Sequence, residues 1–214
     1  MTPTEREPMT TPLDVLRADR VLTVVRAPEI PDAATLVKTL ADSGIRTVEL
    51  TFTTPGVLEH LRVAATVEGA VVGVGTVTTG EQARAAMDHG ARFLVTPGVR
   101  ADVAEVAARQ DIPVIMGAFT PTEVMAVRDL GAVAVKIFPA KALGPGYLKD
   151  LHGPFPDAEL IPSGGVHAGN AAEFLAHGAV AVTAGTDVVA PADVAAGRWS
   201  EIAARAATFL RSVN

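Results

Sequence analysis

Short apolar runs recur along the chain from Val21 onward, separated by segments of helix length. The runs are rich in β-branched residues and nearly continuous in apolar character, which is typical of parallel strands that are covered on both faces. The candidate strands are VLTVV at Val21, TVELT at Thr47, VVGVG at Val71, FLVT at Phe93, PVIM at Pro113, VAVKIF at Val133, ELIP at Glu159 and VAVTAG at Val180. Eight strand–helix units in a chain of this length predict an α/β protein with a single (β/α)8 TIM barrel.

Residues at the ends of the predicted helices support this order. Four helical stretches run through a Gly directly into a strand, and a Gly just past a helix end adopts a positive φ at little cost. These glycines are Gly44, Gly90, Gly131 and Gly178. Three helix starts carry residues that cap free backbone N–H groups, namely Asp32, Thr79 and Thr120. We therefore expect helices to alternate with the strands.

The first residues of the chain differ from the rest. Residues 1–12 are rich in Thr, Pro and Glu without an apolar period, which predicts a short flexible N-terminal extension ahead of a barrel spanning residues 13–214. A doubly wound sheet is the alternative architecture. It is disfavoured because VVGVGTVTTG contains G-x-G without the third Gly of the dinucleotide-binding fingerprint.

Composition and charge exclude several classes of function. The 214 residues include 18 Lys and Arg against 24 Asp and Glu, a formal charge of −6, and the basic residues are scattered, which argues against a nucleic-acid partner or a membrane surface. No apolar stretch approaches the ~18 residues of a spanning helix. The chain has no Cys, which excludes disulfides and fits a reducing, cytoplasmic compartment. Its 5 His lack metal-ligand spacing, so we expect no metal site.

Catalytic groups of barrels lie at the C-terminal ends of the strands, so a charged residue late in an apolar run is a candidate. Lys136 lies within AVAVKIFPA. A lysine there either extends its amine to solvent or is desolvated, and a desolvated amine can form a Schiff base with a carbonyl substrate. Because such a strand should be covered on both faces, we favour the catalytic interpretation.

Glu49, within RTVELTFT, is the second charge that the pattern places in a buried strand. An ionised carboxylate there is costly without a partner or a task. Glu49 is therefore either a general acid/base or the ion-pair partner of a nearby arginine such as Arg26 or Arg46. Arg26 itself closes the first predicted strand and either forms a surface pair or binds a substrate carboxylate.

Gly-containing loops follow the seventh and eighth predicted strands, within IPSGGVHAGN and VTAGTDVV. Backbone N–H groups of such loops, with a hydroxyl and a helix N-terminus, form the usual phosphate site of these barrels. The candidate phosphate-binding residues are Ser163, Gly164, Gly165, Gly185 and Thr186. Thr76 and Pro97 end the third and fourth strands, and they either line the same opening or serve as turn residues.

The chain carries seven motifs in a fixed order: VELTFT, GVGTV, VTPG, VKIFPA, GPFP, PSGGV and AGTDVV. Together they resemble the bacterial 2-keto-3-deoxy-6-phosphogluconate (KDPG) aldolase family, which also includes 4-hydroxy-2-oxoglutarate (KHG) aldolases and phosphogalactonate aldolases. The resemblance implies a (β/α)8 barrel, commonly a homotrimer. It also implies a reversible cleavage, without metal or cofactor, of a phosphorylated 2-keto-3-deoxy sugar acid to pyruvate and an aldehyde.

By the same resemblance, Lys136 is similar to the Schiff-base lysine and Glu49 to the general acid/base. Thr76 matches a threonine near the pyruvyl group, Pro97 a residue that lines the pocket, and Phe138 an aromatic residue beside the imine. The residues that match the phosphate-binding segments are Ser163, Gly164, Gly165, Gly185 and Thr186, with Ser163 where many members have Thr and Thr186 where many have Ser. Both replacements keep a hydroxyl group.

One position departs from the family pattern. Thr53 stands where some members have an Arg, so Arg26 becomes the candidate for the substrate carboxylate, as in members with an R-A pair after the first strand. The expected substrate is KDPG, with the phosphogalactonate epimer or 4-hydroxy-2-oxoglutarate as alternatives. A phosphate-binding barrel isomerase or epimerase would keep the Gly loops without needing Lys136. A sugar-phosphate sensor would bind ligand without turnover.

Overall fold

The eight predicted strands are all present in the computed structural model, which describes residues 11–214. They are β1 (Val21–Val25), β2 (Thr47–Thr51), β3 (Val71–Gly75), β4 (Leu94–Val95), β5 (Val114–Ala118), β6 (Ala134–Ile137), β7 (Leu160–Pro162) and β8 (Val182–Ala184). All pair in parallel, in the order β7-β6-β5-β4-β3-β2-β1-β8. A parallel bridge between Leu160 and Ala179 joins β7 to the residues before β8 and closes the ring. The predicted (β/α)8 barrel is therefore confirmed.

Helices alternate with the strands around the outside of the barrel. They are α1 (Pro12–Asp19), α2 (Ala33–Asp42), α3 (Val57–Ala64), α4 (Gly80–Asp88), α5 (Ala101–Ala108), α6 (Pro121–Asp129), α7 (Gly146–His152), α8 (Ala171–Ala176), α9 (Pro191–Ala195) and α10 (Trp199–Arg211), with a 3₁₀ turn at Ala140–Ala142. Asp32, Thr79 and Thr120 cap α2, α4 and α6 through their side chains, as predicted. The four predicted helix-end glycines have φ between 81° and 99°.

Helix α1 precedes the first strand and closes the N-terminal end of the barrel. The side chain of its N-cap residue, Thr11, accepts a hydrogen bond from the backbone N–H of Asp14, the third residue of the helix. Val15 and Leu16 are buried against the side chains that fill the barrel interior. Thr11 and Pro12 thus belong to the folded part rather than to the predicted leader, and residues 1–10 of that leader lie outside the described residues.

The interior of the barrel is divided into a filled lower part and an open upper part. Near the strand starts, bulky side chains such as Phe93 pack together, and Phe93 uses the space that a side chain at Gly73 would need. Successive residues of a strand alternate between its two faces. Gly75 and Gly117 therefore also face inward, one layer higher, where Gly75 leaves room for the Glu49 side chain and Gly117 for the backbone of Pro97.

After β8, the chain forms the short helix α9 and then the long helix α10. Helix α10 buries one apolar stripe through Ile202, Ala206 and Phe209, and Val213 beyond its end is buried as well. Among the helices of residues 11–214, none is long and apolar enough to cross a bilayer.

Candidate active site

A cavity of about 480 Å³ opens at the C-terminal end of the barrel. Strands β1, β6, β7 and β8 and the loops that follow them bring residues from distant parts of the chain to this opening. Its lining consists of Val24, Arg26, Lys136, Phe138, Ser163, Gly164, Gly165, Val166, His167, Thr183, Gly185, Thr186, Asp187, Val189 and Pro191. Three predicted site residues, Glu49, Thr76 and Pro97, lie outside this lining.

Lys136 lies on β6 with its side chain inside the barrel, and only 7% of the residue is exposed. Its neighbour on β5 in the register is Gly117, which lacks a side chain where the backbone of Pro97 approaches. The Nζ atom is 3.5 Å from Oε2 of Glu49 and 6.0 Å from the centre of the Phe138 ring. The amine is thus desolvated at the inner end of the cavity and can meet a carbonyl carbon there.

Glu49 is completely buried on β2, and its carboxylate fills the space beside Gly75 of β3, where a Cβ would overlap it. Oε2 faces the Lys136 amine, and Oε1 has no hydrogen-bond partner among the described residues. A buried acceptor without a protein partner is costly, and a catalytic role is one of the reasons for which a fold retains one. The carboxylate can therefore exchange a proton with Lys136 or with a bound substrate.

The arginines proposed as ion-pair partners of Glu49 have other partners, so that interpretation was wrong. Arg46 pairs with Asp19 at the N-terminal end of the barrel. Arg26 binds two hydroxyl groups instead of a carboxylate. The charge facing Glu49 is Lys136, a contact between β2 and β6 across the barrel.

Arg26 lies at the end of β1 and lines the cavity. It donates to Oγ1 of Thr53 at 2.6 Å and to Oγ1 of Thr76 at 3.4 Å. Among residues 11–214, no carboxylate forms an ion pair with it. Its positive charge is therefore available to an anion in the cavity.

Thr76 directly follows β3 with a φ of 57°. A β-branched residue in this left-handed region carries strain of roughly 1–3 kcal/mol, and such strain is concentrated at functional sites. The conformation brings the Thr76 hydroxyl within reach of Arg26. Pro97, by contrast, is exposed at the opening and contacts the site through its backbone beside Gly117.

The two predicted phosphate loops lie side by side at the outer end of the cavity. Gly164 and Gly165 have φ values of 85° and 88°, which a residue with a side chain rarely adopts. A Cβ on Gly165 would also press on the Lys141 side chain. On the other loop, Gly185 has open space around it and Thr186 contributes a hydroxyl group. The arrangement leaves backbone groups accessible to an anion.

His167 and Asp187 also line the cavity, and sequence reasoning missed both. The Nδ1 atom of His167 accepts a hydrogen bond from the N–H of Gly169, so the neutral ring carries its proton on Nε2. Asp187 accepts from the N–H of Ala168 and thereby joins the two phosphate loops. Their positions two residues beyond Gly165 and Gly185 were the signal that could have identified them.

Two of the other histidines lie at helix ends. His89 and His177 are the C-terminal caps of α4 and α8, and each ring bonds a carbonyl oxygen of its own helix. Residues 11–214 contain no group of three or more His, Cys, Asp or Glu side chains that could hold a metal ion. The available chemistry of the site is thus that of an amine, a carboxylate, an arginine and the phosphate loops.

Comparison with known sequences gives a consistent match. The family model described as KDPG and KHG aldolase matches residues 13–205. The 2-dehydro-3-deoxy-phosphogluconate aldolase of Treponema pallidum is 33% identical over 208 residues, which cover 96% of this chain and 99% of that protein. These matches span the whole barrel, including every strand that contributes to the cavity.

Solved structures match just as fully. The KDPG aldolase of Legionella pneumophila, with pyruvate captured as a covalent carbinolamine intermediate, has a TM-score of 0.85 and 30% identity and covers 92% of this chain and 97% of its own. The Zymomonas mobilis ZM4 aldolase with 3-phosphoglycerate has a TM-score of 0.83 and 30% identity and covers 94% and 96%.

Proposed function

The chain belongs to the KDPG and KHG aldolase family, and from this we propose that it is a class I aldolase that reversibly cleaves KDPG to pyruvate and glyceraldehyde 3-phosphate. The observation that carries the assignment of catalytic residues is the buried pair of Lys136 and Glu49, 3.5 Å apart at the inner end of the cavity. An amine beside a proton acceptor is what Schiff-base catalysis requires.

Formation of the imine uses both members of the pair. Glu49 accepts a proton from the Lys136 ammonium group, and the free amine adds to the C2 carbonyl carbon of the substrate. The resulting carbinolamine loses its hydroxyl group as water, taking the proton back from Glu49. The product is a protonated imine between Nζ and C2, and the carboxylate of Glu49 is regenerated.

Cleavage then uses the imine as an electron sink. Glu49, directly or through water, removes the proton of the C4 hydroxyl group, the C3–C4 bond breaks, and its electron pair enters the iminium as an enamine. Glyceraldehyde 3-phosphate leaves. Glu49 returns the proton to C3, and water hydrolyses the iminium to pyruvate and the free Lys136.

The two ends of the cavity bind the charged ends of the substrate. Arg26 and Thr76 bind the carboxylate next to the imine, and Phe138 and Pro97 border the reacting carbons. The phosphate is held between the loops that contain Ser163, Gly164, Gly165, Gly185 and Thr186. Arg26 and the two phosphate loops line one cavity, and this supports a substrate with an anion at each end.

The other functions considered are less well supported. A barrel isomerase, epimerase or sugar-phosphate sensor has no need for a buried amine beside a carboxylate. The phosphogalactonate epimer and 4-hydroxy-2-oxoglutarate remain candidates for side activity, since the imine chemistry does not depend on the configuration at C4.

The test is reductive trapping of the imine. Borohydride added in the presence of pyruvate should inactivate the enzyme and attach a reduced pyruvyl group to Lys136, while Lys136→Met should acquire none. Lys141→Met is the matched control, because Lys141 lies beside Gly165 at the outer end of the cavity and its loss should leave trapping intact. An adduct mapped to Lys38, Lys141 or Lys149 would reject the assignment.

We further propose a cytoplasmic homotrimer, as the family resemblance implies. The exposed apolar side chains Val99, Met125 and Leu143 are candidates for coverage by neighbouring subunits. Sedimentation velocity at catalytic concentration tests this proposal, and a monomeric active enzyme would contradict it.

A further inference from the structure

Three threonine hydroxyls at the end of β2 hold the end of β1 around Arg26. Thr51 donates to the carbonyl oxygen of Val25 at 3.0 Å. Thr54 accepts from the N–H of Ala27 at 3.3 Å. The backbone on both sides of Arg26 is thus fixed by side chains from the neighbouring strand.

The third hydroxyl, that of Thr53, binds the Arg26 side chain itself. It accepts from Nη1 of Arg26 at 2.6 Å and lies 3.0 Å from Oγ1 of Thr51. A hydroxyl group has one hydrogen to donate. Because Thr51 uses its hydrogen on the Val25 carbonyl, the hydrogen of Thr53 points to Thr51, and its lone pairs face Arg26. Arg26 therefore donates to Thr53, Thr53 donates to Thr51, and Thr51 donates to the carbonyl oxygen of Val25.

A hydroxyl acceptor has a different effect on an arginine from that of a carboxylate. A carboxylate would fix the guanidinium but neutralise its charge, and Arg26 would lose its attraction for an anion. A neutral acceptor fixes the orientation of the side chain and leaves the charge in place. The remaining donors of Arg26 can then bind a carboxylate in a fixed geometry.

We propose that Thr53 is a positioning residue that directs Arg26 to the carboxylate adjacent to the reacting carbonyl, and that this hydroxyl relay sets the preference of the site for 2-keto acids. The inference rests on the proposed function, because it takes pyruvate as the product whose carboxylate Arg26 binds. Thr53 acts through Arg26 and does not itself contact the reacting atoms.

The first test removes the acceptor while keeping the shape. Thr53→Val should raise the KM for pyruvate in solvent proton exchange about tenfold, the effect of one hydrogen bond to a charged group, with little change in kcat. Thr53→Ser should stay within about twofold of wild type. Thr53→Asp should weaken pyruvate binding most, because its carboxylate would neutralise Arg26. Thr53 is exposed, so all three variants should fold, which thermal unfolding checks.

Pyruvamide separates positioning from general damage, since it has the ketone but an uncharged amide in place of the carboxylate. Imine trapping with pyruvamide should be the same in Thr53→Val and wild type. Thr66→Val is the matched control, because Thr66 loses a comparable hydroxyl bond, to the Val63 carbonyl, on the surface. Equal losses with pyruvate and pyruvamide would overturn the proposal.

A double-mutant cycle gives the final test. If Thr53 acts through Arg26, Thr53→Val should have no further effect on the KM for pyruvate once Arg26 is replaced by Gln. Independent effects of the two substitutions would refute the relay. A wild-type enzyme that forms no trappable imine with pyruvate would instead refute the proposed function, so the two failures are distinguishable.

Discussion

Gly75 on β3 leaves the space that the carboxylate of Glu49 fills from β2. A Cβ at position 75 would overlap Oε1, the carboxylate carbon and Cγ of Glu49. The position of this proposed general acid/base therefore depends on a residue with no side chain. A similar relationship recurs two strands away, where Gly117 of β5 makes room for the backbone of Pro97 beside Lys136.

Gly75→Ala should displace Glu49 while Lys136 stays in position. We expect solvent exchange of the pyruvate methyl protons to slow by at least about a hundredfold, the lower range for loss of a general acid/base, while borohydride still traps the imine. Gly146→Ala is the control, because no atom lies within 4 Å of a Cβ built there. Exchange at the wild-type rate in Gly75→Ala would show that the position of Glu49 is not required.

Glu49→Gln tests the carboxylate directly. The amide keeps the size of the side chain but cannot carry the proton, so kcat for aldol cleavage should fall by about 10²–10⁴-fold. The trappable pyruvate imine should still form, whereas methyl proton exchange, measured by NMR in deuterated water, should become very slow. Exchange at the wild-type rate would remove Glu49 from the mechanism.

Gly165→Ala tests the phosphate loop. The added methyl group presses on Lys141 and forces a side chain into a conformation with φ of 88°, so the KM for KDPG should rise by tenfold or more relative to that for an unphosphorylated analogue. Gly131→Ala imposes the same backbone strain at a φ of 81° with no atom within 4 Å. It should lower thermal stability without changing the ratio of the two KM values. Equal KM increases for both substrates in Gly165→Ala would argue against a phosphate site there.

Asp102 predicts a pH dependence of stability. The hydrogen bonds from Arg100, and then from the N–H of Gly80 at the start of α4, lower the pKa of its carboxyl group from 3.8 to about 2. Because the folded-state pKa is the lower one, the carboxylate stabilises the fold above pH 3.8, and this contribution is lost as the pH falls towards 2.

The measurement compares the thermal unfolding midpoints of wild type and Asp102→Asn at pH 7 and at pH values below 4. Asp102→Asn should melt at most roughly 4 °C lower at pH 7, and the difference should shrink below pH 4. Asp88→Asn at the end of the neighbouring helix α4 is the control, since Asp88 is exposed and forms no ion pair among the described residues. A difference that grows in acid would contradict this assignment.

The sequence predicted the barrel because its signals are local. Each of these signals depends only on the conformation of its own segment. They are the eight apolar runs, capping residues such as Thr120 and helix-end glycines such as Gly131, and the structure confirms them. Helix α1 was missed because its short apolar face, Val15 and Leu16, is explained only by the open end of the barrel it covers. That opening does not exist until eight distant strands have met.

Charged residues in buried strands could likewise be recognised from the sequence alone, since Lys136 and Glu49 interrupt apolar runs. Which charges face each other could not be recognised, because β2 and β6 are brought together only by closure of the barrel. Local reasoning offered Arg26 or Arg46 as the partner of Glu49 in the ion-pair alternative, whereas the structure pairs it with Lys136. The hydroxyl relay around Arg26 likewise depends on the register between β1 and β2. The sequence determined which elements form and which residue types carry chemistry, whereas their distances and partners were decided by tertiary structure, because these contacts span strands that are far apart in the chain.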